Sequence, residues 1–208
     1  APIKLHYDYT DDELAFLMAK DGDEFNVWDA GQTLFLRVLL RLVASGEEAF
    51  KAALDSRLVA AVEATLNDTA RDPRLVAEAI RTPDEGYLLE QLPEADPQAV
   101  ERALSFVRRG LAIALRDTLT RTYRANSAAT YRNDAASIGK RRLKNACLSY
   151  LMALDDEESR ALAAKQYAES DNMTDSLAAL ASLADSESEL FDRLLLDFYG
   201  KWEAEALV

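Results

Sequence analysis

Histidine and cysteine are almost absent, since the 208-residue chain holds one of each, His6 and Cys147. Zinc hydrolase sites of the HExxH type need two histidines one helical turn apart and an acidic third ligand, so this chain excludes such a site. A single cysteine excludes an intrachain disulfide, which is typical of a reducing compartment and predicts a cytoplasmic location. We expect Cys147 to be a small buried apolar residue and His6 to contact solvent or an interface. A Cys/His catalytic pair is disfavoured because His6 lies near the N-terminus, outside the predicted helices, and Cys147 lies on the apolar face of a predicted helix.

Glycine and proline are also scarce, with seven and five residues. Their scarcity, together with abundant Ala, Leu, Glu and Arg, favours helix over sheet. No run of about 18 apolar residues occurs, which predicts that the chain has no transmembrane helix. The N-terminus lacks a basic region followed by an apolar stretch, so we expect no signal peptide. A Gly-rich phosphate loop and a Gly-x-Ser-x-Gly nucleophile motif are absent as well.

Basic residues are fewer than acidic residues: the chain has 24 Lys and Arg and 37 Asp and Glu, which gives a net charge of −13. A surface this acidic repels phosphate backbones, which argues against nucleic acid as a partner. The same charge argues against docking on anionic membrane lipid. Apolar residues make up 49% of the chain, so a substantial core remains possible.

The N-terminal segment Ile3–Tyr9 has a two-residue period. Its apolar positions are Ile3, Leu5, Tyr7 and Tyr9, which alternate with Lys4, His6 and Asp8. This pattern predicts one half-buried β-strand. No second strand of equal quality occurs, so the segment should pair outside this chain or lie along the helical body as an extended arm. It is a first hint that the chain is part of a longer protein.

Helical signals follow directly. Thr10 and Glu13 have the spacing of a capping box, and the helix that they begin should end before Gly22. A second helix, capped by Asn26, should end near Gly46. One or two shorter helices are expected between residues 47 and 66.

The middle of the chain has further helix-start signals. Pro73 and Pro83 are placed where the first turn of a helix accepts proline. Thr82 and Glu85 repeat the capping-box spacing. The clearest helix is predicted over Pro97–Asn126, because its apolar residues recur at steps of three or four. They are Val100, Leu104, Val107, Leu111, Leu115 and Leu119.

Four helices are predicted in the last third. One runs over about Asp134–Leu154, the acidic cluster Asp155–Glu158 opens the next, and Asn172 or Thr174 caps a third. The last has apolar residues at Phe191, Leu194, Leu195, Phe198 and Trp202. The predicted fold is all-α, an irregular α-superhelix or helical array of about ten helices, with one short N-terminal β-strand or extended arm.

Two kinds of charge cluster could carry chemistry. Paired carboxylates such as Glu47-Glu48 and Asp155–Glu158 can hydrolyse glycosides when a cleft raises one pKa. At helix starts they are more simply partners of the helix dipole, and we interpret them so. The basic run Lys140–Lys144 (KRRLK) could bind a phosphate or a peptide carboxylate. Because Lys140 and Lys144 share a helix face and acids are plentiful, we interpret this run as a salt-bridged surface.

Several segments carry a resemblance. The most specific are Lys140–Leu151 (KRRLKNACLSYL), Lys165–Tyr167 (KQY) and Asn172–Leu180 (NMTDSLAAL). Others are Pro2–Leu5, Tyr7, Thr10–Met18 (TDDELAFLM), Phe25, Trp28–Gln32 (WDAGQ) and Lys201-Trp202. Together they resemble the bacterial aminopeptidase N family of zinc metallopeptidases, which usually has Ala where this chain has Gly31.

The resemblance implies a domain organisation. Members of that family have a β-rich N-terminal domain, a thermolysin-like zinc domain, a small β-sandwich and a large helical C-terminal domain. Residues 1–9 would be a strand or linker from the preceding β-sandwich domain, and residues 10–208 the first part of the C-terminal helical domain. The zinc ligands and catalytic glutamate of the family lie upstream. The resemblance therefore implies no catalytic, metal-binding or cofactor-binding residue in this chain, and zinc in the rest of the enzyme.

The function that the resemblance implies belongs to the longer protein. That protein would be a zinc-dependent aminopeptidase that removes N-terminal amino acids from peptides. This chain would be a non-catalytic part that walls the chamber over the active site and limits access to small or unfolded peptides. Its partners would be the catalytic and β-sandwich domains of the same polypeptide and the peptide substrates.

An independent helical-repeat scaffold that binds a partner protein in its concave surface is the alternative. Such a scaffold should have polar terminal helices and no orphan strand. The apolar last helix and the lone strand at Ile3–Tyr9 favour the fragment of a larger protein. A helical enzyme without metal ranks third, because no convergent nucleophile and base can be named.

Overall fold

A computed structural model describes residues 7–128, 130–186 and 188–205, without the side chains of residues 47 and 49. Within these ranges it contains eleven α-helices, one 3-10 helix and no β-strand. The α-helices are α1 Asp11–Lys20, α2 Glu24–Ser45, α3 Ser56–Asn67, α4 Pro73–Ala79, α5 Glu85–Glu90, α6 Pro97–Ala114, α7 Arg116–Ala125, α8 Ala135–Met152, α9 Glu157–Glu169, α10 Met173–Leu183 and α11 Leu190–Trp202, and the 3-10 helix is Gly46–Lys51. The predicted all-α array of about ten helices is confirmed.

The predicted strand Ile3–Tyr9 falls mostly outside the described residues, and so does His6. Residues 7–10 belong to no helix or strand. The backbone N–H of Tyr9 donates to the carbonyl oxygen of Tyr7 at 3.0 Å, which is the contact of a tight turn. The described end of this segment is therefore not a strand.

The first helix begins as predicted. The Thr10 Oγ1 accepts from the backbone N–H of Glu13 at 3.2 Å, and the Glu13 carboxylate accepts from the backbone N–H of Thr10 at 2.7 Å. This reciprocal pair satisfies two backbone donors that a helix start would otherwise leave exposed. The helix ends at Lys20, as the following Gly22 predicted.

The second helix begins earlier than predicted. Asp23, not Asn26, is its N-cap, and Asp23 Oδ1 accepts from the backbone N–H groups of Phe25 at 3.0 Å and Asn26 at 3.1 Å. An aspartate at this point satisfies two orphan donors at once, which places Asn26 inside the first turn. The predicted end is confirmed, because Gly46 follows the helix with φ of 64°, a conformation that glycine adopts without strain.

The predicted capping box at Thr82 and Glu85 is wrong. The Thr82 hydroxyl accepts from Arg108 Nη2 at 3.2 Å, and Asp84 occupies the N-cap position of α5 without a side-chain cap. The Thr82 hydroxyl therefore binds a guanidinium that is distant in sequence, and it does not cap α5. Pro73 opens α4 as predicted, whereas Pro83 lies in the loop before α5.

The long helix predicted over Pro97–Asn126 is two helices. It breaks at Leu115, whose φ of −116° and ψ of 19° separate α6 from α7. The apolar stripe continues across the break, since Val107, Leu111 and Leu119 are all fully buried. Periodicity therefore could not reveal a one-residue interruption at a leucine.

The chain divides into two compact units. The first comprises Ala1–Arg71 and Leu75–Leu111. Gly31 of α2 lets this helix approach α4, because a Cβ at Gly31 would lie 3.1 Å from the carbonyl oxygen of Ala79. The largest fully buried side chains of this unit include Phe35, Met18, Leu34, Leu39, Leu58 and Ile80.

The second unit comprises Asp72–Arg74 and Ala112–Val208. Its last helix, α11, packs Leu194 and Phe198 against a cluster formed by Tyr167, Ala179 and Leu180. The Tyr167 hydroxyl also donates to Asp197 Oδ2 at 2.7 Å, and Lys201 Nζ pairs with the same oxygen at 2.6 Å. Despite these contacts α11 has no fully buried residue, and its large apolar side chains Leu195, Leu196, Tyr199 and Trp202 are exposed.

Candidate functional site

Side chains that can bind a metal ion do not cluster in the described part of the chain. No group of three or more His, Cys, Asp or Glu side chains that could hold a metal ion occurs in the part of the chain that the structure describes. Nor is any helix in those ranges long and apolar enough to cross a membrane. Neither observation concerns His6, which lies outside them.

Cys147 is a core residue, as predicted. It lies on α8 with no exposed surface, and burial raises the pKa of its thiol to about 12. A neutral thiol without access to solvent is not a nucleophile.

The acidic cluster Asp155–Glu158 is a helix start, as we interpreted it. Asp156 is the N-cap of α9, and its Oδ1 accepts from the backbone N–H of Ser159 at 2.9 Å. Glu157 and Glu158 lie in the first turn, where carboxylates complement the helix dipole.

The interpretation of the basic run Lys140–Lys144 as a salt-bridged surface is corrected in part, because one of its ion pairs is buried. Lys144 is 7% exposed, and its Nζ pairs with Asp175 Oδ2 at 2.6 Å. Lys140 is exposed to solvent. The Arg141 guanidinium lies 4.7 Å above the Tyr131 ring, a cation–π contact.

The buried pair belongs to a larger set of polar contacts, which we call the Asp175 network. Asn145 Nδ2 donates to Asp175 Oδ1 at 2.9 Å, and Asn172 Nδ2 donates to Asp175 Oδ2 at 3.1 Å. The Asp175 carboxylate thus has one cation and two amide donors. Asn172 is also the N-cap of α10, as predicted, because its Oδ1 accepts from the backbone N–H of Asp175 at 3.0 Å.

Gln166 of α9 completes the Asp175 network. Its Nε2 donates to Asn145 Oδ1 at 2.9 Å and to the backbone carbonyl of Asp175 at 3.0 Å. Its Oε1 accepts from the Tyr123 hydroxyl at 2.9 Å. Burial, with the charges of Asp175 and Glu169 adding to it, raises the pKa of Tyr123 to about 12, so the hydroxyl stays protonated and donates.

The buried polar atoms of the Asp175 network are paired within the protein. Among the described residues, every buried side-chain nitrogen and oxygen atom has a hydrogen-bond partner. The network joins α7, α8, α9 and α10. A fully satisfied polar network of this kind fixes one arrangement of helices.

The most specific segments of the sequence meet in this network. Lys144 and Asn145 come from Lys140–Leu151, Gln166 from Lys165–Tyr167, and Asp175 from Asn172–Leu180. Contacts between helices therefore account for these residue identities.

Two of the surface grooves among the described residues have linings suited to binding a ligand. The first, which we call the Trp28 groove, belongs to the first unit and has a volume of about 360 Å³. Its lining includes Trp28, Asp29, Gln32, Leu36, Pro83 and Tyr87. The Phe25 ring lies 5.8 Å from that of Trp28. Exposed aromatic side chains beside a carboxylate are a surface suited to binding.

The second, which we call the leucine groove, belongs to the second unit and has a volume of about 200 Å³. Its lining includes Thr120, Arg124, Leu151, Leu154, Leu162 and Lys165. Three leucines form an apolar floor, and the lining also holds three cations, Arg116, Arg124 and Lys165, and the Glu158 carboxylate. Sequence reasoning could not find either groove, because each collects residues from helices that are separated along the chain.

Known proteins match the chain over its whole length. A family model described as a domain of unknown function (DUF3458_C) with ARM repeats matches residues 11–208. The chain is 34% identical to aminopeptidase N of Escherichia coli (strain K12) and 31% identical to aminopeptidase N of Haemophilus influenzae, in each case over 100% of this chain and 24% of the relative. Aminopeptidase N of Caulobacter vibrioides is 31% identical with the same coverage.

A solved structure agrees with these sequence relatives. The crystal structure of Legionella pneumophila aminopeptidase A in complex with aspartic acid superposes with a TM-score of 0.82 at 25% identity, and the match covers 99% of this chain and 25% of that one. The chain therefore spans about a quarter of the length of these relatives. The resemblance to aminopeptidase N is confirmed, and the chain belongs to the DUF3458_C family of ARM-repeat domains.

Proposed function

We propose that this chain is the non-catalytic helical domain of a zinc-dependent aminopeptidase that removes N-terminal amino acids from peptides. The observation that carries the proposal is the end-to-end match to a quarter of aminopeptidase N in three bacteria. Residues 1–9 would join a preceding β-sandwich domain, and residues 10–208 would be the first part of the C-terminal helical domain. The enzyme would act in the cytoplasm.

In this proposal the catalytic chemistry would lie outside this chain. One histidine, one deeply buried cysteine and no metal-ligand cluster among the described residues do not fit a zinc site. The zinc and the catalytic glutamate would belong to the catalytic domain of the same polypeptide. No residue of this chain is assigned a step in the reaction.

The role of the chain would be to wall the chamber over the active site. Support comes from the ARM-repeat match, because helix pairs that stack in an array form an extended surface. The Asp175 network holds four of the helices in one arrangement, which suits a wall. The exposed apolar side of α11, where Leu196 is 72% and Tyr199 62% exposed, would contact another domain of the polypeptide.

Substrate size tests this role. We expect the complete polypeptide to release the first residue of a short alanyl peptide. We expect a folded protein with the same N-terminal sequence to be cleaved with a kcat/KM at least about 100-fold lower, because the chamber would exclude it. The measurement is N-terminal amino-acid release by both substrates, and the same protein substrate after unfolding is the control.

The outcomes separate the two parts of the proposal. If unfolding the protein substrate restores its cleavage, the result supports a chamber that excludes folded proteins. Equal kcat/KM for the folded and unfolded substrates contradicts this role of the chain but not the aminopeptidase activity. Absence of cleavage of any peptide contradicts the aminopeptidase itself.

A further inference from the structure

The leucine groove has an ordered arrangement of charge and apolar surface. Thr120 and Arg124 lie one turn apart on α7, and Leu162 and Lys165 lie one turn apart on α9. Both helices flank the end of α8, where Leu151 is 4% exposed and lines the groove. The apolar floor therefore lies between two cations that come from different helices.

These two cations are available to a ligand. No carboxylate of the described residues lies within ion-pair distance of the exposed Arg124. Among the described residues Lys165 approaches only the Glu169 carboxylate, at 4.0 Å between two exposed side chains, and solvent weakens such a contact. Arg116, the third cation of the groove, is already held by Asp156 and Glu158.

The chemistry of the groove selects one kind of ligand. Two exposed cations that line one groove complement an anion, and Arg binds a carboxylate through two parallel hydrogen bonds. The leucines favour an anion that carries an apolar group beside its charge, because burying that group against them is favourable. A free inorganic anion has no such group. A volume of about 200 Å³ accommodates a single residue and not a helix or a folded partner.

We propose that the leucine groove binds the C-terminal residue of a peptide, with the carboxylate on Arg124 and Lys165 and an apolar side chain on Leu151, Leu154 and Leu162. The inference rests on the proposed function, which makes peptides the substrate, and it assigns a second contact with the same peptide. A peptide held at its C-terminus would present its N-terminus to the active site from a fixed point. Peptides with a free, apolar C-terminal residue would then be the preferred class.

Binding can be measured directly by NMR titration of the ¹⁵N-labelled chain. The probes are Ala-Ala-Ser-Ala-Leu with a free carboxylate, the same peptide as its C-terminal amide, and the free acid with serine in place of the last leucine. The free acid should shift the amides of α7 and α9, and the amide and the serine peptide should each bind at least about tenfold more weakly. Arg124→Gln should weaken the free acid about tenfold and leave the amide unchanged.

Arg193→Gln is the matched control, because Arg193 is an exposed arginine on α11 whose loss changes the net charge equally. It should leave all three affinities unchanged. Equal affinities for acid and amide, shifts that map outside the leucine groove, or an equal loss from both variants would overturn the assignment.

A second measurement uses the complete polypeptide. We expect a kcat/KM about tenfold higher for the free acid than for the amide, and Arg124→Gln should remove this ratio. Turnover of the free acid and the amide with equal kcat/KM contradicts the C-terminal site but not the proposed function. Absence of turnover of every peptide contradicts the proposed function, and the NMR titration then decides the site by itself.

Discussion

Replacing Lys144 with methionine is expected to lower the free energy of unfolding of the second unit by about 3–5 kcal/mol, because it leaves the buried Asp175 carboxylate without its cation. Methionine nearly keeps the length and volume of the lysine side chain. The lost free energy of unfolding therefore measures the removal of the charge and not the opening of a cavity. The Asn145 and Asn172 amides would remain as donors to Asp175, but neither supplies a positive charge. Urea denaturation followed through Trp202 fluorescence, in a Trp28→Phe background, measures the effect.

Lys140→Met is the matched control for this prediction. It makes the same change on the same helix, four residues away and exposed to solvent, and should cost no more than about 0.5 kcal/mol. The double variant Lys144→Met with Asp175→Leu should recover most of the lost stability, since neither charge then remains buried. Equal effects of Lys144→Met and Lys140→Met would show that the Asp175 network does not hold the helices together.

Replacing Phe35 with alanine is expected to destabilise the first unit by about 3–5 kcal/mol, because a large cavity opens in a packed core. Phe35 has no exposed surface, and it lies on α2 among the fully buried Leu34, Leu39 and Met18. Rigid helices on both sides leave little room for the core to collapse around the cavity. Urea denaturation followed through Trp28 fluorescence, in a Trp202→Phe background, reports on this unit.

Phe25→Ala provides the comparison, since Phe25 lies on the same helix and is 67% exposed. It should change the free energy of unfolding by no more than about 0.5 kcal/mol. If the two alanine variants lost the same stability, the core described for the first unit would be incorrect.

The parts of the fold that sequence reasoning predicted are those determined locally. The Thr10–Glu13 box and the Asn172 cap depend on side chains within three residues of the groups they bind, so their spacing alone identifies them. The predicted cap Asn26 is wrong because Asp23, a residue type equally suited to the N-cap, lies three residues earlier. The break at Leu115 was missed because an apolar stripe continues through it without glycine or proline.

The parts that sequence reasoning missed depend on residues far apart in the chain. Lys144 and Asp175 are 31 residues apart, and a charged residue on a helix is normally assigned to solvent. One signal was available: Lys144 lies three residues before Cys147, which was expected to be buried, and so on the same side of α8. The two grooves had no such signal, because helix packing alone brings their residues together.

Turnover of a chromogenic alanyl substrate, measured with this chain alone and with the complete polypeptide, shows whether the chain carries any catalytic function. We expect zinc-dependent release of the chromophore by the complete polypeptide and none by this chain, with or without added zinc. Zinc-dependent turnover by the chain alone would contradict it, and so would a complete polypeptide that binds partner proteins and cleaves no aminoacyl substrate.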